Sequence, residues 1–152
     1  MTENEFTRYW ELLIAKKHKG DTLPLTSDEA LFYAANWLRG SVPRSGFIGY
    51  FEGSSGEDVI GAVEAFRLMN LSEPLSLLQG AILTIFGEMP LPNDSVPLDV
   101  LPSGLSESEY ESASDELDHK VTPIEVEFNT FDNDIYVALC RFADERLIKD
   151  LG

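Results

Sequence analysis

The stretch TSDEALFYAANWLRGSVPRSGFIGYFEGSSG, residues 26–56, decides the fold, because a helix signal in its first half is followed by a glycine-rich aromatic segment. Thr26 and Glu29 have the spacing of a capping box, in which each side chain accepts a hydrogen bond from the backbone N–H of the other residue. Apolar residues then recur at helical spacing. Gly40 and Pro43 predict that this helix ends near residue 40.

Residues 46–56 contain four glycines, too many for a long helix, and three aromatic residues, too many for an ordinary surface loop. We therefore expect a short helix followed by a turn. The side chains expected to anchor that short helix are Phe47, Tyr50 and Phe51.

The same spacing of Ser or Thr to Asp or Glu predicts three further helix starts, at Thr2, Ser55 and Ser106. The first of these helices has a basic end and Gly20 as its stop. The helix that begins at Ser106 is expected to run to about Asp118.

Two more helices are predicted without a full capping box. Ser72 as the cap and Pro74 in the first turn begin a helix that reaches Phe86 and is apolar on nearly all sides, so it is the best candidate for a buried central helix. Asp132 or Asn133 is expected to cap the last helix. The apolar stripe of that helix comprises Ile135, Tyr136, Leu139, Cys140, Ala143 and Leu147.

Two segments between these helices have other patterns. Residues 87–104 contain four prolines and predict an irregular connection, while residues 124–128 alternate apolar and acidic side chains and suggest a short extended piece. The sequence therefore predicts a mainly α protein, a single compact multi-helix domain over residues 1–152 with at most that one extended segment. An acidic, proline-containing region, residues 88–134, belongs to the same domain.

Acidic side chains are concentrated in residues 88–134, which hold thirteen carboxylates and one base, Lys120, in a chain of formal net charge −16. This sign disfavours direct binding to nucleic acid, whose phosphates need clustered Lys and Arg, and disfavours anionic membrane surfaces. With no signal-peptide pattern and no apolar run of membrane-spanning length, we expect a soluble, cytoplasmic protein.

Residues typical of catalysis or metal binding are scarce. His18, His119 and the single Cys140 lack zinc-binding spacing, and no glycine arrangement matches a phosphate-binding loop. We expect no catalytic residue, no metal, no cofactor and no enzymatic activity. A minor hydrolase that binds a metal through Asp132 or Asp134 stays open as an alternative.

The predicted helix that begins at Ser106 has a regular acidic pattern. At about 100° per residue, four acids form one stripe within about 80°, two more lie on the opposite flank, and a narrow apolar ridge of Tyr110, Ala113 and Leu117 lies between them. The stripe is Glu107, Glu111, Asp115 and Asp118, and the opposite flank is Glu109 and Glu116. With two acids of the following segment, the candidate partner-binding residues are Glu107, Glu109, Glu111, Asp115, Glu116, Asp118, Glu125 and Glu127. A solvated face that only keeps the protein soluble is the simpler alternative.

The segment GFIGYF, residues 46–51, with the Ser-Ser-Gly of residues 54–56, resembles the DNA-mimic protein family, a bacterial domain family. The resemblance covers about residues 26–86 and, more loosely, residues 132–136. Arg44-Ser45 stands where the family usually has Asn-Gly, and Gly53 stands where it has asparagine. The resemblance implies a mainly helical, cytoplasmic protein that occupies the DNA-binding face of a transcription factor in place of DNA, as a homodimer.

The acidic stretch and the resemblance together lead to one main hypothesis. The chain is expected to be a non-enzymatic protein whose carboxylates bind the basic surface of a DNA-binding protein, a transcription factor or similar, and keep it off DNA. Two alternatives stay open: an immunity-type protein that neutralises a basic toxin such as a nuclease, and an acidic scaffold of no catalytic role.

Overall fold

The second helix of the chain, α2 (Ser27–Glu52), lies at the centre of the fold and has twelve buried residues. The computed structural model describes residues 1–19 and 24–147. The other helices are α1 (Glu3–His18), α3 (Gly56–Leu68), α4 (Ser72–Phe86), α5 (Glu107–Asn129) and α6 (Asp132–Arg146). Within the described ranges no β-strand forms, and one isolated antiparallel bridge joins Ser55 to Pro97. The prediction of a mainly α fold is confirmed.

Aromatic side chains of α2 hold the surrounding helices in place. α2 packs against α1, α3, α5 and α6, while α4 packs against α3 and α5. The rings of Phe47 in α2 and Phe128 in α5 meet edge to face with their centroids 5.4 Å apart, and Phe51 meets Phe86 of α4 in the same way at 5.1 Å. Each such pair adds about 0.5–1.5 kcal/mol beyond the burial of its area. The core therefore fixes α5, which carries most of the candidate residues, to α2.

The predicted end of the central helix at Gly40 and Pro43 is wrong. Both residues are exposed inside α2, and the helix continues past them. A proline inside a helix leaves a carbonyl without its usual donor, but on an exposed face that carbonyl can face water. The break comes instead at Gly46, whose φ of 70° and ψ of 177° are not helical. The residues after Gly46 are helical and bury Phe47, Tyr50 and Phe51, so the short anchored helix is confirmed as the second limb of α2.

All four predicted capping boxes form, at Thr2, Thr26, Ser55 and Ser106. The predicted stop at Gly20 lies outside the described residues. The predicted caps of the other two helices are wrong, because α4 and α6 begin at Leu71 and Phe131 with no capping side chain. Each follows the preceding helix within a few residues, so the tight turn between the helices sets where the next one begins.

The fourth helix is not the buried centre that its composition predicts. Only Pro74, Leu78 and Ala81 of α4 are buried, and Leu83 is 55% exposed. Because α4 packs only against α3 and α5, it covers one side of the core and leaves its far face open.

Residues 124–128 are helical, so the predicted extended piece is wrong. They continue α5 through Pro123, which is exposed and keeps the helix intact for the same reason as Pro43. Val126 is 64% exposed while Val121 and Phe128 are buried, which is a helical and not an alternating pattern.

The proline-rich connection between α4 and α5 is irregular, as predicted, but it is attached to α3. The backbone N–H of Glu57 donates to the carbonyl of Asp94 at 3.0 Å, and that of Leu98 donates to the carbonyl of Ser54 at 2.9 Å. Leu98 is buried in the core. These contacts hold the segment before α5 against the body of the protein.

Candidate functional site

The acidic helix α5 has an outer half and a core half. In its last three turns Val121 and Phe128 are buried and Ile124 is half-buried, at helical spacing that continues the predicted ridge. Its first three turns bury no side chain fully. Tyr110 is 44% exposed, and its hydroxyl donates to Glu52 of α2 at 3.0 Å. The first half of α5 therefore lies along the surface and presents its flanks to solvent.

The predicted stripe lies wholly on this outer half. All four of its carboxylates are exposed, and within the described part of the chain none of them pairs with a Lys or Arg. At 1.5 Å per residue the stripe is about 16 Å long. Neighbours three or four residues apart repel each other by a few tenths of a kcal/mol per pair. The four acids are Glu107, Glu111, Asp115 and Asp118.

The opposite flank of α5 is less negative. Glu109 accepts a hydrogen bond from the backbone N–H of Ser106 at 3.4 Å as part of the capping box. Glu116 pairs with Lys120 at 3.5 Å, a surface contact that contributes little to stability but lowers the local charge. Glu127 lies further along the same flank and is exposed. These three acids and the stripe occupy two edges of one helix.

Glu125 differs from the other seven candidate residues. It is half-buried, and its Oε1 accepts a hydrogen bond from the backbone N–H of Phe47 at 2.8 Å. That N–H begins the second limb of α2, where no helical carbonyl is available because Gly46 breaks the pattern. Glu125 therefore caps a helix of the core, and we leave it out of the surface formed by the other seven.

Glu52 is an acidic neighbour of this surface that the sequence pattern missed. It is exposed at the end of α2 and accepts the hydrogen bond from Tyr110, which raises the pKa of Tyr110 above its ordinary value. The two residues are 58 positions apart in the chain. Spacing along one helix cannot reveal such a contact, so no local signal pointed to Glu52.

The residues weighed for metal binding have other contacts. Asp132 pairs with Arg39 of α2, with its Oδ1 3.1 Å from the arginine Nε. In the part of the chain that the structure describes, no three His, Cys, Asp or Glu side chains are grouped so that they could hold a metal ion. No helix there is long and apolar enough to cross a membrane.

Comparisons with known proteins identify the family. Searches of curated proteins and of solved structures found no match. A family model described as DMP19-like protein matches residues 24–149, which include α2 to α6. Because this match spans far more than half of its length, the chain belongs to the DMP19-like protein family, a family of DNA mimics.

Proposed function

We propose that this protein is a non-enzymatic DNA mimic that uses the outer half of α5 to bind the basic DNA-binding surface of a transcription factor or a similar protein. The observation that carries the proposal is the row of four exposed, unpaired carboxylates on a helix of a chain that belongs to a DNA-mimic family. Bound in this way, the partner cannot also bind DNA.

The charge arrangement supports a basic protein as the partner. Residues 107–118 hold six acids and no base, so an approaching surface of Lys and Arg relieves the repulsion between neighbouring carboxylates. DNA carries about one charge every 3.4 Å along each strand, a density of the same order as this row of carboxylates. The capping box at Ser106 and the contact of Tyr110 with Glu52 hold the row in position before any partner arrives.

The first test is capture of partners at low salt followed by a salt titration. We expect a basic DNA-binding protein to be recovered, its affinity to fall by about tenfold or more as the salt is raised from roughly 50 to 300 mM, and its DNA to be displaced. Recovery of a partner whose affinity ignores salt, or one that binds DNA and this chain together, contradicts the proposal.

The second test changes the stripe and keeps a matched control. The stripe variant carries Glu107→Gln, Glu111→Gln, Asp115→Asn and Asp118→Asn. The control variant carries the same number of neutral changes at exposed acids elsewhere: Glu11→Gln, Glu88→Gln, Asp99→Asn and Glu145→Gln. We expect the stripe variant to lose at least about tenfold in affinity and the control variant to lose much less. Equal losses would show that total charge, and not the position of the carboxylates, determines binding.

A dimer, as the family resemblance implies, is part of the proposal. Sedimentation equilibrium of the free protein and of its complex is expected to give two copies of this chain. A monomer at all concentrations would remove the dimer and leave the role of α5 in place.

A further inference from the structure

A cavity of about 310 Å³ lies between α2 and α3, beside the end of α1. None of the described residues that line it belongs to α5, so it is separate from the acidic surface. Its volume is at the lower end of the range in which proteins bind small molecules.

The cavity arises from two facing helix stripes that carry small residues. The lining residues of each helix follow the i, i+3, i+4, i+7 rule, so each set lies on one face. They are Ser27, Ala30, Leu31 and Ala34 of α2, and Glu57, Ile60, Gly61 and Glu64 of α3. A Cβ added to Gly61 would lie 3.2 Å from the Cβ of Ala34, so the helices nearly touch there. One turn further along α2, the small side chain of Ala30 leaves the groove open.

The charges at the cavity are unevenly paired. Lys17 of α1 lies 3.5 Å from Asp58, whose carboxylate also accepts a hydrogen bond from the backbone N–H of Ser55. The only base among the described lining residues is therefore already paired. Glu57 and Glu64 are exposed and have no ion-pair partner in the described part of the chain. Burial, and then the charge of Asp58, raise the pKa of Tyr33 on the cavity wall, as expected beside uncompensated negative charge.

We propose that this cavity binds an amphipathic organic cation, a primary amine or guanidinium with a short apolar body. Leu31 and Ile60 contact the apolar body, and the charged head lies at the rim with Glu57 or Glu64. The two glutamates are about 10 Å apart along α3, so a single head pairs with one of them at a time. This site does not depend on the function proposed for α5.

The probe for the test is n-pentylamine, with n-pentanol and pentanoate as ligands of the same length without the positive charge. Titration of the ¹⁵N-labelled protein at pH 7, followed by amide chemical shifts, is expected to show saturable binding of pentylamine with the largest changes at Ala30, Gly61 and Glu64. Pentanol is expected to bind at least about tenfold more weakly, since it lacks the charge-assisted contact, and pentanoate not at all.

Three variants locate the site. Ala30→Leu places a larger side chain at the exposed mouth of the groove without lowering helix propensity, and is expected to abolish binding. Glu64→Gln is expected to weaken pentylamine severalfold and leave pentanol unchanged. Glu145→Gln removes the same charge from an exposed position of α6 and should change neither ligand. Circular dichroism confirms that each variant is folded.

Three results would overturn the proposal. Equal affinity for pentylamine and pentanol would show an apolar cavity with no role for the carboxylates. Shifts spread along α5 and lost in the stripe variant would show general attraction of cations to the acidic surface. Unchanged binding by a folded Ala30→Leu variant would show that the ligand lies elsewhere.

Discussion

Gly46 is the residue at which the central helix changes direction, and its conformation is open essentially only to glycine. A Cβ there would lie 2.8 Å from Oε1 of Glu125 and push away the carboxylate that caps Phe47. We expect Gly46→Ala to lower the free energy of unfolding by about 1–3 kcal/mol, measured by urea denaturation. Gly40 is the control, because it lies in the same helix with nothing within 4 Å of an added Cβ. Gly40→Ala should raise stability by about 0.5–1 kcal/mol, and a loss of equal size at both positions would contradict this account.

Glu29 contributes a pH-dependent part of the stability. Burial raises the pKa of its carboxyl group, but the hydrogen bonds from Lys16 and Thr26 outweigh burial and hold the pKa below its ordinary value of 4.5. A group whose pKa is lowered by folding stabilises the protein above its unfolded pKa, and that stability is lost as the pH falls through the folded pKa. Glu29→Gln should therefore reduce stability at pH 7 and reduce its loss below about pH 4.5, as measured by denaturation across a pH series. Glu11→Gln should leave the acid limb unchanged.

At the scale of elements, the connection between α4 and α5 depends on Gly56. The chain at Pro92 passes so close to the start of α3 that a Cβ on Gly56 would overlap the carbonyl oxygen of Pro92. We expect Gly56→Ala to displace this connection, to lower the free energy of unfolding by roughly 2 kcal/mol, and to speed amide exchange at Glu57 and Leu98. Gly80→Ala on α4 meets only ordinary contact, 3.9 Å from Ile124, and should leave exchange at those two amides unchanged.

Helix starts could be predicted from the sequence because a capping box is a contact between residues three positions apart. Helix ends could not be predicted as well. Pro43 and Pro123 each lie inside a helix because their exposed surroundings let water satisfy the backbone, and the sequence does not record exposure. The irregular connection was predicted from its prolines, but its attachment to α3 was not.

At the scale of the molecule, the core and the candidate surface are joined by contacts that sequence patterns do not show. The residues that carry the family resemblance pack in the core around α2, while the acids lie on α5. Glu125 connects the two across 78 positions, and it is the one candidate acid whose carboxylate serves the core. The exposed stripe itself could be predicted, since a helical repeat within one element places its four acids on one side.

The net charge of −16 makes the stability of the whole protein depend on salt. In the stripe, three pairs of neighbouring carboxylates at i, i+3 or i, i+4 repel each other, and each costs about 0.2–0.5 kcal/mol at low salt. Part of this gain is offset in the stripe variant, because Glu107 in the first turn interacts favourably with the helix dipole. We therefore expect the stripe variant to be more stable than the unmodified protein by up to about 1 kcal/mol at low salt. The difference should vanish at about 1 M salt, where the screening length is roughly 3 Å. Denaturation of the stripe and control variants at both salt concentrations measures it. A stripe variant less stable at low salt would show that these carboxylates make stabilising contacts, and the surface proposed for the partner would then have to be redrawn.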